Sequence, residues 1–158
     1  DTSYARIPAD MRYIASFFGK ELLGEVDPAE FYAKKWNTAD RPVRRAKHFF
    51  DENARVPKMR DALTAGNARE YMRLMNESGR SSEELLNNIV TSATDDRKLE
   101  TGLYLSRRLL EGIGAWRVHG GGFAGCVQAL MPMDYFPKYK SEMEAAFGDG
   151  SCRELKLG

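Results

Sequence analysis

Three consecutive glycines, Gly120-Gly121-Gly122, divide this chain into two unlike parts. A run without side chains weakens any regular element, so the backbone there turns, adopts positive φ or lets another group come close. Upstream, apolar residues recur at helical spacing with clear stops and caps. Around and beyond the glycines, short runs alternate as half-buried strands do. Many helices, then strand, glycine turn, strand, helix and strand, imply an α+β domain whose antiparallel sheet carries helices on one face.

The upstream stripes predict specific elements. Pro8 opens a first helix, which carries Met11, Ile14, Ala15, Phe18 and Leu22 and ends at Gly24. Asp27 and Glu30 have capping-box spacing and start a short helix through Trp36. Arg41 to Ala65 reads as a long helix with Val43, Ala46, Phe50 and Leu63 on its apolar face, kinked or split at Pro57. Asn67 with Glu70 caps the next, which carries Tyr71, Met72, Leu74 and Met75 and stops near Gly79. Ser81 with Glu84 repeats that logic ahead of Leu85, Leu86, Ile89 and Val90, and a helix from about Asp96 to Glu111 follows. Then come strands at Ala115 to Val118 and Cys126 to Met131, a helix from Asp134 to Phe147, and a closing strand from Cys152 to Leu157.

Composition narrows the function classes. The length of 158 residues suits one domain, and 42% hydrophobic with 30% charged residues is an ordinary globular mixture. No apolar stretch is long enough to span a membrane. A formal net charge of +1 gives no global field for nucleic acid or anionic lipid. Basic residues Arg41, Arg44, Arg45, Lys47, Arg55, Lys58 and Arg60 cluster among Asp40, Asp51, Glu52 and Asp61, which reads first as a solvated helix face and second as a phosphate- or partner-facing patch. Two cysteines, Cys126 and Cys152, are too few for a disulfide framework and point to a reducing, cytoplasmic setting. His48 and His119 lack ligand-spaced partners, so no metal site is expected. The first residues, Asp1-Thr2-Ser3-Tyr4, have neither a start methionine nor a signal-peptide pattern, as expected of a piece cut from a longer chain.

The stretch His119, Gly120, Gly121, Gly122, Phe123, Ala124, Gly125 is where chemistry is expected. Exposed backbone N–H groups in such a loop donate to phosphate or sugar oxygens. A tight turn between two strands is the structural alternative. A His-Gly-Gly-Gly string also serves as an oxyanion loop in some esterases, but that chemistry needs a Gly-x-Ser-x-Gly elbow followed by an acid and a histidine. No such elbow occurs here and no histidine follows His119. His119 itself either bonds its own backbone surroundings or touches a phosphate.

In its full context the loop resembles the third signature of the GHMP small-molecule kinases, and of galactokinases in particular. That pattern runs Gly-Ala-Arg-Met-Thr-Gly-Gly-Gly-Phe-Gly-Gly-Cys; this chain has Gly114-Ala115-Trp116-Arg117-Val118-His119-Gly120-Gly121-Gly122-Phe123-Ala124-Gly125-Cys126. Trp116 is one extra residue, and Ala124 replaces a glycine. His119 replaces a small hydroxyl residue, as in a bacterial branch of galactokinases. The stretch from Arg44 to Val56 is similar to the galactokinase Arg-Ala-x-His-x-x-x-Glu-Asn-x-Arg-Val helix, with Pro57 a departure after it. Leu74-Met75-Asn76-Glu77-Ser78 resembles the family's Leu-Met-Asn-Glu-Ser.

The resemblance implies that residues 1–158 form a GHMP kinase C-terminal domain: a ferredoxin-like antiparallel sheet with helices on one face, plus additional N-terminal helices. It implies ATP-dependent phosphorylation of the anomeric hydroxyl of galactose. ATP and Mg²⁺ would be held mainly by an N-terminal lobe of the same kinase, whose motifs, catalytic residues included, do not occur in this chain. By resemblance, Gly121 and Gly122 lie nearest the substrate and Tyr4 lines the sugar pocket. The chain alone would be inactive, because phosphoryl transfer is catalysed by positioning and charge stabilisation that a half-site cannot supply. A non-catalytic module sensing sugar and nucleotide, or a kinase for another sugar such as N-acetylgalactosamine, remains open on these residues.

Overall fold

The computed structural model describes residues 2–90, 97–122 and 125–155. Helix α1 (Thr2–Ser16) is followed by a 3₁₀ turn (Leu23–Glu25), α2 (Pro28–Ala33), α3 (Arg41–Thr64) and α4 (Ala68–Ser81). A π-helical turn (Ser82–Leu86) extends α4; α5 (Lys98–Leu110), β1 (Ala115–His119), β2 (Cys126–Leu130) and α6 (Phe136–Phe147) complete the order. The strands pair antiparallel, from Ala115 opposite Leu130 to His119 opposite Cys126. The architecture is α+β, as the order of patterns implied.

Helix α1 begins earlier than Pro8 and ends earlier than Gly24. Pro8 lies inside it with its ring exposed, so the one lost backbone donor faces solvent. The stop is at Gly19: its amide bonds the Ser16 carbonyl and that of Lys20 bonds the Ala15 carbonyl, the paired closure of a Schellman motif. Asp27 caps α2, accepting from the Ala29 amide at 2.9 Å rather than sharing a capping box with Glu30. Helix α3 runs without a break through Pro57, which is likewise exposed.

The apolar faces of α1, α2 and α3 close on one another around Ile14, Phe31, Val43, Ala46 and Phe50, with Trp36 at the edge. Phe31 stacks on Phe50 with ring centroids 4.7 Å apart. Leu63 is not part of this core; it is 59% exposed in the last turn of α3. A second cluster seals the sheet: Leu99 and Leu103 of α5 pack on Val118, Trp116 and Val127. A third joins α5 to α6 through Leu110, Tyr139 and Met143. Trp116, Val118, Val127 and Ala129 share one face of the two-stranded sheet, so α5 and α6 cover that face.

Helix α4 covers the free edge of β1. The Asn76 side chain donates to the Gly114 carbonyl at 3.2 Å and accepts from the Trp116 amide at 3.0 Å, standing in for a neighbouring strand. The helix comes this close because of Gly79, where a Cβ would fall 2.9 Å from both the Arg117 Cβ and the Trp116 carbonyl oxygen. Gly79 is therefore a packing residue within α4 rather than its stop.

The third strand expected over 152–157 does not form at Cys152–Leu155; the rest of it lies outside the described residues. Cys152 packs beside the α5–α6 cluster instead, and Leu155, 83% exposed, has no apolar surface to pair against. The helix expected from Ser81 is a single π turn, because Ser81 spends its hydroxyl on His48 rather than on a cap.

Candidate functional site

Hairpin β1–β2 presents the glycine loop at its tip. Gly120 and Gly122 take φ of 68° and 76°, the left-handed region in which a side chain is strained. The loop does not project freely into solvent. A Cβ on Gly121 would lie 2.3 Å from Cε2 of Tyr4, and one on Gly122 would lie 2.0 Å from the Asn88 carbonyl oxygen. The bare backbone of Gly121–Gly122 is thus seated between the first turn of α1 and the segment that follows the π turn. Tyr4, Gly121 and Gly122 are brought together, with the Tyr4 side chain 56% exposed beside the loop. Phe123 lies outside the described residues. Gly125 approaches the His119 carbonyl. His119 is exposed opposite Cys126, and among the described residues its ring has no hydrogen-bond partner.

Asn88 is fully buried, its side-chain amide 3.2 Å from the Ser82 hydroxyl, and Asn87 before it takes a left-handed φ of 55°. That turn aims the Asn88 carbonyl at the loop. Sequence reasoning missed Asn88, since the spacing of Leu85, Leu86, Ile89 and Val90 reads as a helix running on past it, and nothing local says what it faces.

Behind the cradle lie two charged networks; they correct the reading of the α3 cations as a solvated face for Arg45 and Arg55, while Arg41, Lys47, Lys58 and Arg60 are exposed as that reading has them. Arg45 and Arg55 are buried. Asp10 of α1 accepts from Arg41 at 2.7 and 3.0 Å and from Arg45 at 2.7 Å; Arg45 also donates to the Leu86 carbonyl at 3.0 Å. Burial presses the Asp10 pKa upward, but the hydrogen bonds and charges of Arg41 and Arg45 reverse that and hold it below the usual carboxylate value.

In the second network Glu52 pairs with Arg55 and accepts from the Ser78 hydroxyl at 2.6 Å. Arg117 of β1 donates to the same hydroxyl and lies 3.6 Å from Glu52. His48 Nδ1 is 2.9 Å from the Ser81 hydroxyl. Burial lowers the His48 pKa, and Glu52 only partly offsets this. Arg45, His48, Glu52 and Arg55 are spaced three, four and three residues apart, so they share one face of α3. That spacing was the available signal; the charge of the residues hid it.

Among the described residues no group of three or more His, Cys, Asp or Glu side chains is placed to hold a metal ion. No described helix is long and apolar enough to cross a membrane.

No protein-family model matches the chain. Among solved structures, it superimposes on Lactococcus lactis galactokinase complexed with galactose, with a TM-score of 0.75 and 24% sequence identity over 94% of this chain. The chain has the fold of a galactokinase C-terminal domain. It spans 39% of the length of that galactokinase.

Proposed function

We propose that this chain is the C-terminal lobe of a galactokinase-type sugar kinase, which transfers the γ-phosphoryl group of ATP to the anomeric hydroxyl of galactose. One observation carries the reading. Tyr4, Gly121 and Gly122, singled out from separate stretches of sequence, converge in one cradle in which the loop backbone is bare and a phenol stands beside it. A galactokinase fold around that cradle supports it.

In this reading the loop and Tyr4 form the wall against which the sugar ring rests. Backbone approach at Gly121 and Gly122 fixes the ring's position, and the Tyr4 hydroxyl, both donor and acceptor, is available to a sugar hydroxyl. Positioning of this kind is a large part of catalysis in phosphoryl transfer. Carboxylates for Mg²⁺ and the phosphate cradle come from a partner lobe, so no step of the transfer is assigned to residues of this chain.

The test is complementation. The chain is mixed with the N-terminal lobe of a galactokinase, and ATP-dependent galactose phosphorylation is measured against each part alone. Turnover only in the mixture supports the reading, and turnover by this chain alone contradicts it. Sugar binding without turnover in every combination indicates a sensing module instead, and preference for N-acetylgalactosamine reassigns the sugar.

A further inference from the structure

The walls of the glycine cradle come from two segments far apart in the chain, and one buried side chain holds both. Tyr4 belongs to α1, which is anchored through Asp10. Asn88 lies two residues beyond Leu86, the last residue of the π turn. Arg45, only 4% exposed, donates through one terminal nitrogen to Asp10 at 2.7 Å and through Nε to the Leu86 carbonyl at 3.0 Å. A guanidinium is planar and rigid, so its two donor directions fix the relative placement of the groups that accept them. The Leu86 carbonyl is one of the orphan acceptors at a helical end, so without Arg45 a part-buried acceptor loses its donor.

We propose that Arg45 is a positioning residue for the sugar-facing cradle: by bridging Asp10 and the Leu86 carbonyl it sets the separation of the Tyr4 and Asn88 walls, and so the seat of Gly121–Gly122. The functional part of this rests on the reading under Proposed function; the geometric part does not. Asp10 has a bidentate contact with Arg41 that is independent of the Arg45 side chain. The bridge can therefore be cut without stranding the carboxylate, which separates positioning from stability.

Two variants of the full chain test this, read by thermal melting and by NMR of the Gly121, Gly122 and Asn88 amides and the Tyr4 ring. Arg45→Lys supplies charge to Asp10 but lacks the fork that reaches Leu86. It should fold, with α6 signals unchanged, while the Gly122 and Asn88 amides and the Tyr4 ring all shift. Asp10→Asn leaves Arg45 on the Leu86 carbonyl and should shift the Tyr4 ring but not the Gly122 or Asn88 amides. In the lobe-complemented enzyme, Arg45→Lys should raise the galactose KM, because the wall that binds the ring is displaced, with kcat changed less than about twofold. Unmoved cradle signals in Arg45→Lys, or shifts spread equally over α6, overturn the proposal. Should the wild-type mixture show no turnover, the functional reading fails, while the NMR outcome still decides the role of Arg45.

Discussion

Alanine placed at each of the three glycines separates backbone strain from steric contact, because each position has a different mixture. At Gly120 φ is 68° and no atom lies within 4 Å of a built Cβ, so only strain operates. Left-handed backbone costs an alanine about 1–2 kcal/mol. Roughly 0.4–1 kcal/mol returns because alanine restricts the unfolded chain. The expected loss is therefore about 1 kcal/mol. At Gly121 the contact is the edge of the exposed Tyr4 ring, which can swing aside, so stability should change by less than about 1 kcal/mol. At Gly122 strain at φ 76° coincides with a Cβ 2.0 Å from the carbonyl oxygen of Asn88, a buried residue bonded to Ser82. Overpacking against fixed backbone adds about 1–3 kcal/mol, for a total near 3 kcal/mol. For a chain of this size each kcal/mol moves the melting midpoint roughly 2–4 °C. Thermal melts should therefore show Gly122→Ala lower by roughly 6–12 °C, Gly120→Ala by roughly 2–4 °C and Gly121→Ala least changed. Equal losses at Gly121 and Gly122, or the largest loss at Gly120, would refute the seating of the loop.

Asn76→Ala strips both side-chain bonds from the edge of β1 and should cost about 1–3 kcal/mol in urea unfolding; a change under ~0.3 kcal/mol would show that water replaces the asparagine freely. His48 is buried with its pKa below the usual 6.5, so the unfolded chain takes up the proton more readily. Its contribution is complete above about pH 6.5 and is lost as pH falls toward the lower folded value. The difference in stability between wild type and His48→Asn should therefore narrow on acidification below pH 6.5, by no more than about 1.4 kcal/mol per pH unit; a difference that stays flat from pH 7.5 to 5 contradicts the buried, neutral imidazole.

The helices were legible because their apolar residues keep a helical period and their caps are explicit. Asn67 accepts from Glu70 as their spacing implied, and Asp27 caps through the Ala29 amide rather than through Glu30. Proline was over-read: Pro8 and Pro57 sit within helices because an exposed helix face lets water take the freed carbonyl. Glycine was over-read in the same direction, since Gly79 marks where a helix meets a strand edge rather than where it ends. Arg45 and Arg55 were misplaced on the surface because sequence shows charge but not the carboxylates that make burial tolerable; Asp10 is 35 residues from Arg45. The cradle was only half visible. A glycine triplet announces close approach of something, but the partners, Tyr4 and Asn88, depend on tertiary packing that no periodicity encodes.

The central claim is that Gly121 and Gly122, seated against Tyr4 and Asn88, form the face on which a galactose ring rests. Hydrogen exchange of the lobe-complemented chain, with and without saturating galactose, tests it most directly. Galactose should slow exchange at the backbone of residues 120–122 and in the first turn of α1, leaving α6 unchanged, and Gly121→Ala should abolish the effect without unfolding the chain. Bound galactose that protects other segments and leaves the glycine loop exchanging at its free rate would contradict it.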